Sequence, residues 1–300
     1  MTDAELPPQI RERTVAKART LLEALPFMRE HGGRVIVVKY GGAAMETSGL
    51  ASTFAEDVML LQSVGIKPVI VHGGGPAVTQ LSARLGIETT FVDGLRVTDA
   101  ETLDVATMVL AGKLNTDIVS SLVTGGVNAV GLSGVDGRLL LARKQDGPDL
   151  GFVGEVVHVH GDVLSTLLDR SFVPVVASIA VDEYGQAYNV NADVVAAELA
   201  VELDAEKLVY ISDVPGLIGS TGDLLSELSA TQASGLLTAP GVIDGGMIPK
   251  VESAVRALEA GVGRIHLVDG RVEHALVLEL FTPEGVGTMI TPDADEEVAP

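Results

Sequence analysis

Arg34-Val-Ile-Val-Val-Lys-Tyr-Gly-Gly42 is an apolar, β-branched run that ends on a cation and two glycines. A run of this kind, without polar alternation, reads as a strand buried on both faces of a parallel sheet. Gly41 and Gly42 then turn the chain and leave backbone N–H groups uncovered by side chains. Pro68-Val-Ile-Val-His-Gly-Gly-Gly-Pro76 repeats the pattern one helix further on. In open parallel sheets, ligands sit beyond the carboxyl ends of the strands. Two glycine-rich strand ends, one carrying Lys39, therefore predict a site for an anion.

Working outward, the alternation continues. Leu50 to Val64 reads as a helix ending at Gly65, Pro68 to Val71 as a strand, and Pro76 to Leu85 as a helix. These two βα units mark an α/β fold with an open, mainly parallel sheet sandwiched by helices. Ile87 to Thr98 reads as an irregular or hairpin excursion. Asp99 caps a long helical region to about Val123. Strands are expected over Val127 to Leu132 and Phe172 to Ile179, and an antiparallel pair over Arg138 to Arg143 and Phe152 to His160. Asp182 to Val190 should turn at Tyr184-Gly185, and Asn191 to Val201 should be helical. Lys207 to Ser212, Arg264 to Val268 and Gly287 to Ile290 read as strands, with Ile248 to Ala260 and Glu273 to Leu280 as helices. Ahead of the first strand, a helix from Pro7 to Leu25 and a second from Pro26 to His31 form an extension stopped by Gly32-Gly33. The expected division is an N-terminal helical extension (1–32), two lobes (33–204 and 205–292, meeting near Asp204) and an acidic tail (293–300), the tail disordered.

Composition narrows the function. The 300 residues are 47% hydrophobic and only 3% aromatic, so the core must be aliphatic. A formal charge of -21 argues against a nucleic-acid surface. The chain has no cysteine, which excludes disulfides and thiolate metal sites. With no signal-peptide pattern and no apolar run of spanning length, a soluble cytoplasmic protein is expected.

The standard nucleotide signatures are absent: no G-x-x-x-x-G-K-[ST] occurs, and His72-Gly-Gly-Gly-Pro-Ala77 lacks full G-x-G-x-x-G spacing. The Gly73–Gly75 turn nevertheless feeds a helix N-terminus, where phosphate or carboxylate is stabilised. Lys39 ends a strand, where a lysine commonly just emerges into water. Lys250, in Asp244-Gly-Gly-Met-Ile-Pro-Lys250, has the same ordinary reading on a helix. Both lie beside glycine turns, and phosphoryl transfer gains from fixed cations on the moving and leaving groups. In Asn189-Val-Asn-Ala-Asp193, Asn191 can serve as an N-cap and Asp193 as a first-turn carboxylate. Asn189 has no capping role and is free for a ligand. Arg96, among apolar residues in Asp93-Gly-Leu-Arg-Val-Thr98, suits a carboxylate. His158 and His160 share one strand face without a third ligand and read as surface residues.

Together, Lys39-Tyr-Gly-Gly42, His72-Gly-Gly-Gly-Pro76, Asp93-Gly-Leu-Arg-Val-Thr98, Asn189-Val-Asn-Ala-Asp193, Ser212-Asp-Val-Pro-Gly-Leu217 and Gly245-Gly-Met-Ile-Pro-Lys250 resemble the amino acid kinase family. The resemblance runs from Arg34 to Ile290. It is closest to members that phosphorylate the γ-carboxylate of N-acetyl-L-glutamate with ATP in arginine biosynthesis. It implies that Lys39 and Lys250 stabilise the transferring phosphoryl group and leaving phosphate, with Asp193 orienting both. It places Gly74, Gly75, Arg96, Asn189 and Asn191 on the acceptor. Gly41, Gly42, Asp213, Val214, Gly216, Leu217, Ile218, Val242, Ile243 and Asp244 fall on the nucleotide. Mg²⁺ would ride on the ATP phosphates, and a carboxylate nucleophile needs no general base. The N-terminal helices resemble those of arginine-inhibited homo-hexamers, trimers of dimers, which implies an arginine site near Lys207, His266, Glu279, Gly285 and Gly287. Competing readings are a kinase of the same fold for an aminoadipate derivative or aspartate, and a catalytically dead amino-acid sensor, against which both lysines count.

Overall fold

The computed structural model describes residues 8–42, 45, 49–92, 94–219, 221–238, 243 and 245–293, and of residues 8–13 the backbone only. Pro7, Asp93, Val242, Asp244 and the tail from residue 294, all named above, lie outside the described residues.

A single helix, α1 (Pro8–His31), precedes the sheet. Then come β1 (Val35–Tyr40), α2 (Leu50–Ser63), β2 (Lys67–His72) and α3 (Gly75–Leu85). A small hairpin, β3 (Phe91–Val92) with β4 (Leu95–Arg96), leads into α4 (Ala100–Thr107), a π-helical segment (Met108–Leu114) and α5 (Asn115–Thr124). Next are β5 (Ala129–Ser133), β6 (Leu140–Lys144), β7 (Gly154–Val159), α6 (Asp162–Asp169), β8 (Val173–Ala177), β9 (Ile179–Val181), β10 (Ala187–Asn189) and α7 (Ala192–Glu202). The chain finishes with β11 (Lys207–Ser212), β12 (Glu227–Ser229), α8 (Ala230–Thr238), α9 (Met247–Glu259), β13 (Arg264–Asp269), α10 (Ala275–Phe281) and β14 (Thr288–Thr291).

One eight-stranded sheet, ordered β12-β14-β13-β11-β1-β2-β8-β5, crosses both proposed lobes. Every neighbouring pair in it is parallel except β13 with β14. The connections run outward from β1 to β2 on one side and from β11 to β13 on the other. The strand order therefore reverses between β1 and β11, the position where α/β sheets open a crevice for ligands.

Strand alternation decides what faces that crevice. Ile36, Val38, Ile70, Val209 and Ile211 pack with α2, α5 and α10 on one side of the sheet. Val37, Val69, Val71, Leu208 and Tyr210 pack with α7 and α9 on the other. Successive side chains of a strand point to opposite faces. Lys39 therefore follows Val37 onto the face covered by α7 and α9.

Three sequence expectations are corrected. The break at Pro26 is absent: α1 runs through it to His31. A proline keeps helical φ and loses one N–H bond, and here Ala24, Phe27 and Met28 pack on the core around it. The expected strand from Phe172 to Ile179 is two strands in different sheets. β8 stops at Ala177, Ser178 carbonyl accepts from Val190 N–H at 3.1 Å, and Ile179 opens β9 beside β10 and β6. Asp293, at the head of the supposed disordered tail, is held by Thr231, whose N–H and Oγ1 donate to it at 3.1 and 2.7 Å. Helices α6 and α8 and strand β12 were not foreseen. Among the described residues, no helix is long and apolar enough to cross a membrane.

Candidate active site

The carboxyl ends of β1, β2 and β11 meet the N-termini of α3, α7 and α9. Asn191 is the N-cap of α7: its Oδ1 accepts from Asp193 N–H at 2.7 Å and Val194 N–H at 3.3 Å. That cap fixes Asp193 in the first turn, over the sheet. Lys250 lies in the first turn of α9, which opens at Gly246. Lys39 Nζ lies 3.2 Å from Asp193 Oδ1 and Lys250 Nζ 2.9 Å from Oδ2, so one carboxylate bridges both lysines.

Burial alone would raise the Asp193 carboxyl, but the two ammonium groups outweigh it and hold its pKa below the ordinary value. Burial, with Lys39 adding to it, lowers that of Lys250 against the pull of Asp193. Among the described residues, the Lys39–Asp193–Lys250 cluster carries two cations to one anion. The helix N-termini around it add positive potential. This suits an anionic ligand in a protein whose net charge is strongly negative.

Tyr210, which the sequence reading passed over, also packs into this cluster. It stands opposite Lys39 in register, and its ring centroid lies 4.9 Å from Lys250 Nζ. Its hydroxyl meets Ser253 Oγ at 2.9 Å, and Ser253 Oγ donates to Lys250 carbonyl at 2.9 Å. A desolvated cation over an aromatic face gains about 2 kcal/mol, which helps to hold Lys250 charged. No sequence signal marks this tyrosine apart from its place in a buried strand.

Two glycines approach their neighbours closely. A Cβ on Gly41 would come 2.6 Å from Lys39 Nζ, because the lysine folds back over the turn. A Cβ on Gly74 would fall 2.2 Å from Leu114 Cδ1. Gly42, at φ +65°, lies against the backbone of Asp213.

Beside the lysines is a pocket of about 260 Å³ lined by Gly73, Gly74, Gly75, Arg96, Asn189 and Asn191 among others. Arg96 Nη2 donates to Gly75 carbonyl and Thr79 Oγ1, each at 2.8 Å. Its Cζ sits 4.8 Å over the Phe91 ring, across the β3–β4 ladder. Its Nη1 is buried without a protein partner. A buried guanidinium with an unused donor suits a carboxylate ligand. Asn189 Nδ2 donates to Thr98 Oγ1 at 3.3 Å. A wider groove of about 980 Å³ continues past Asp193 to Gly245, Gly246 and Arg256.

The other expected positions separate. Asp213 and Ile218 are exposed and Val214 is half-buried beyond β11, whereas Leu217 and Ile243 belong to the core. Gly216, at φ +140°, passes so close to Thr288 that a Cβ would meet Oγ1 at 2.5 Å. Leu217 N–H donates to Thr288 Oγ1 at 2.9 Å, so Leu217 and Gly216 secure the loop to β14. Lys207, His266 and Glu279 do come together, on the other side of β11. Lys207 Nζ donates to His266 Nε2 at 3.4 Å, and His266 Nδ1 donates to Glu279 Oε1 at 2.7 Å. Glu279 Oε2 accepts from Val286 and Gly287 N–H at 2.7 and 3.0 Å. Gly285, at φ +60°, closes against that carboxylate. His158 and His160 stack edge-to-face on the surface, 4.4 Å between centroids.

A profile described as the amino acid kinase family matches residues 34–269. A protein of Aquifex aeolicus named acetylglutamate kinase is 50% identical over 293 residues, covering 92% of this chain and 98% of its own length. One of Synechococcus elongatus with the same name is 48% identical over 277 residues, 91% of this chain and 92% of its own. Among solved structures, N-acetylglutamate synthase from Neisseria gonorrhoeae, complexed with coenzyme A and N-acetyl-glutamate, superposes with a TM-score of 0.83 at 30% identity. It covers 92% of this chain, which spans 64% of that one. Carbamate kinase from Giardia lamblia bound to AMP-PNP, at 17% identity and a TM-score of 0.65, shares the fold.

Proposed function

The chain belongs to the amino acid kinase family, and we propose that it transfers the γ-phosphoryl group of ATP to the γ-carboxylate of N-acetyl-L-glutamate, a step of arginine biosynthesis. The observation that carries this is the Lys39–Asp193–Lys250 bridge at the strand-order reversal, beside a pocket with an unused Arg96 donor. The acceptor is already a carboxylate at neutral pH, so its oxygen can attack phosphorus without a base. What the protein supplies is position and charge. Lys39 and Lys250 neutralise the transferring phosphoryl group and the leaving phosphate; Asp193 keeps the two ammonium groups apart and aimed. Arg96 takes the acceptor's α-carboxylate, with Gly74, Gly75 and Asn189 around the rest and Asn191 holding the α7 N-terminus beneath it. ATP lies along Gly41, Gly42 and the loop from Asp213 to Ile218, and the resemblance adds Val242, Ile243 and Asp244 to its contacts. The lobe of residues 33–204 holds the acceptor and that of 205–292 the nucleotide.

Mg²⁺ fits this donor set only as a passenger of the nucleotide. Asp193 is the one buried carboxylate among the described residues of the site, and both its oxygens face lysines. The ion is better held by phosphate oxygens and water, where it would neutralise phosphate charge. A coupled assay for ADP, run with N-acetylglutamate, glutamate, aspartate and no acceptor, tests the assignment. Turnover with N-acetylglutamate alone is expected, and turnover with aspartate instead would overturn it.

Arg96→Lys is expected to raise the apparent KM for the acceptor about 10–100-fold, the range for hydrogen bonds to a charged group. The KM for ATP should stay near wild type. A changed ATP KM with an unchanged acceptor KM would move Arg96 to the nucleotide side.

Assembly and feedback belong to the same proposal. The docked end of α1 is fixed by Phe27, Met28 and His31, whose Nδ1 lies 2.8 Å from Glu206 Oε1. Further out, Val15, Leu21, Leu22 and Leu25 are exposed, at 51%, 67%, 67% and 39%. This stripe does not fold back on its own subunit, so a helix of a second copy is the partner it fits. Pairing dimers this way closes a homo-hexamer. Arginine would bind near Lys207, His266, Glu279, Gly285 and Gly287, its guanidinium sharing or displacing the His266 contact on Glu279. Removal of residues 1–26 should leave an active dimer by light scattering, insensitive or much less sensitive to arginine. A truncated hexamer with full arginine sensitivity would refute this.

A further inference from the structure

The turn Gly73–Gly75 is set by groups buried beneath it. His72, fully buried at the end of β2, donates from Nδ1 to Gly73 carbonyl at 2.9 Å. Its Nε2 accepts from Asn115 Nδ2 at 3.1 Å. Asn115 Nδ2 also lies 2.9 Å from Val175 carbonyl and 3.3 Å from Leu132 carbonyl, so its two N–H groups are shared among three acceptors and tie it to β8 and β5. Two donors cannot face each other, so Asn115 fixes His72 as the neutral, Nδ1-protonated tautomer. Burial agrees, pushing the imidazole pKa down to about 4, and nearby Lys39 pushes the same way.

The π-helical segment is what allows Asn115 to reach. Asn115 N–H donates to Leu110 carbonyl, five residues back. In an α-helix five residues turn the chain by about 140°, which would carry Asn115 away from the face of Leu110 and Leu114. The wider π-turn brings positions five apart near one face. Leu110 and Leu114 press on Gly74, and Asn115 reaches His72 from the same side.

We propose that Asn115 and His72 are positioning residues that orient the Gly73–Gly74 peptide for the acceptor. In a trans peptide the C=O and N–H point in opposite directions. With the Gly73 carbonyl drawn inward to His72, Gly74 N–H faces the pocket that Lys39 and Arg96 line. No described group accepts from that N–H, so it is available to the acceptor's reacting carboxylate. This inference rests on the kinase reading of the pocket, which wild-type turnover with N-acetylglutamate tests by itself.

The experiment has two arms. ¹⁵N NMR of histidine-labelled wild-type protein, with the His72 signals assigned by their loss in His72→Asn, reads the tautomer directly. A neutral Nδ1-protonated ring is expected at pH 7; an Nε2-protonated ring or a cation there overturns the proposal. In kinetics, His72→Leu removes the donor, whereas His72→Asn can place Nδ2 where Nδ1–H stood. His72→Leu should lower kcat at least tenfold, with the ATP KM within about twofold of wild type, in line with the loss of one oriented donor. His72→Asn should recover most of that loss. Equal damage in both variants at similar thermal stability, or wild-type kcat in His72→Leu, overturns it. If His72→Leu does not fold, the wild-type tautomer still decides.

Discussion

Lys250→Ala should leave a folded protein whose turnover is lower on the order of 10²–10³-fold, and Lys39→Ala should do the same, the usual loss when one transition-state electrostatic contact is removed. The two lysines reach the same carboxylate from different elements, Lys39 from β1 and Lys250 from α9. Removing either leaves the other paired with Asp193, so no buried charge is orphaned and the fold should persist. Lys250 is the more buried, its ammonium resting over Tyr210. Lys250→Met keeps the apolar stem and separates packing from charge: it should unfold like wild type yet stay as slow as the alanine variant. Neither KM should change as much as kcat, because the charge they meet is greatest in the transition state. Near-normal turnover in both alanine variants would sink the catalytic roles. A Lys250→Met enzyme that recovered activity would show that only volume mattered.

How much of this was legible follows from how far each interaction reaches along the chain. The strands β1 and β2 and their glycine turns are local, and the sequence reading found them within a residue or so. Lys39 was legible as a strand-end cation. Its face was also implied, since it keeps step with Val37. Which helix covers that face is a tertiary fact, and Asp193 and Lys250 lie far off in sequence. They could be joined to Lys39 only through the family resemblance. Tyr210 and Asn115 carried no signal, and His72 was visible only as the first residue of its glycine string, because their work depends on tertiary contacts. Tyr210 matters by standing opposite Lys39, and Asn115 by a π-turn that no hydrophobic period announces. The misplaced break at Pro26 has the opposite cause. A local rule was applied where docking of Ala24, Phe27 and Met28 outweighs one lost hydrogen bond. Strand β12 and helix α8 escaped because three residues paired with β14, followed by Ala-Thr-Gln-Ala-Ser-Gly, offer neither period nor a strong propensity.

Asp193→Asn is expected to combine the largest loss of turnover with the clearest change of pH dependence. Among the described residues, the carboxylate is the only anion in contact with both buried ammonium groups. Replacing it by an amide of the same shape leaves two cations facing each other without compensation. Removing one partner of a buried ion pair costs about 3–5 kcal/mol, so the urea midpoint at pH 7 should fall accordingly. The acid side behaves in the reverse sense. Wild-type Asp193 has a depressed pKa when folded. Its stabilisation is present above the unfolded value of about 3.9 and is lost as pH falls through the folded one, and the amide variant lacks that component of acid sensitivity. The kinetic signature lies at the alkaline end. Burial already lowers the pKa of Lys250, and Asp193 opposes it. Without the carboxylate, burial and Lys39 act together, and Lys250 loses its proton at a lower pH. Turnover needs the charged form, so the alkaline limb of the kcat profile should move to lower pH in Asp193→Asn than in wild type. Turnover should fall at least as far as in Lys250→Ala, because neither lysine is then aimed. A variant with an unchanged profile and turnover within a few-fold of wild type would show that the lysines hold their charge and position without Asp193.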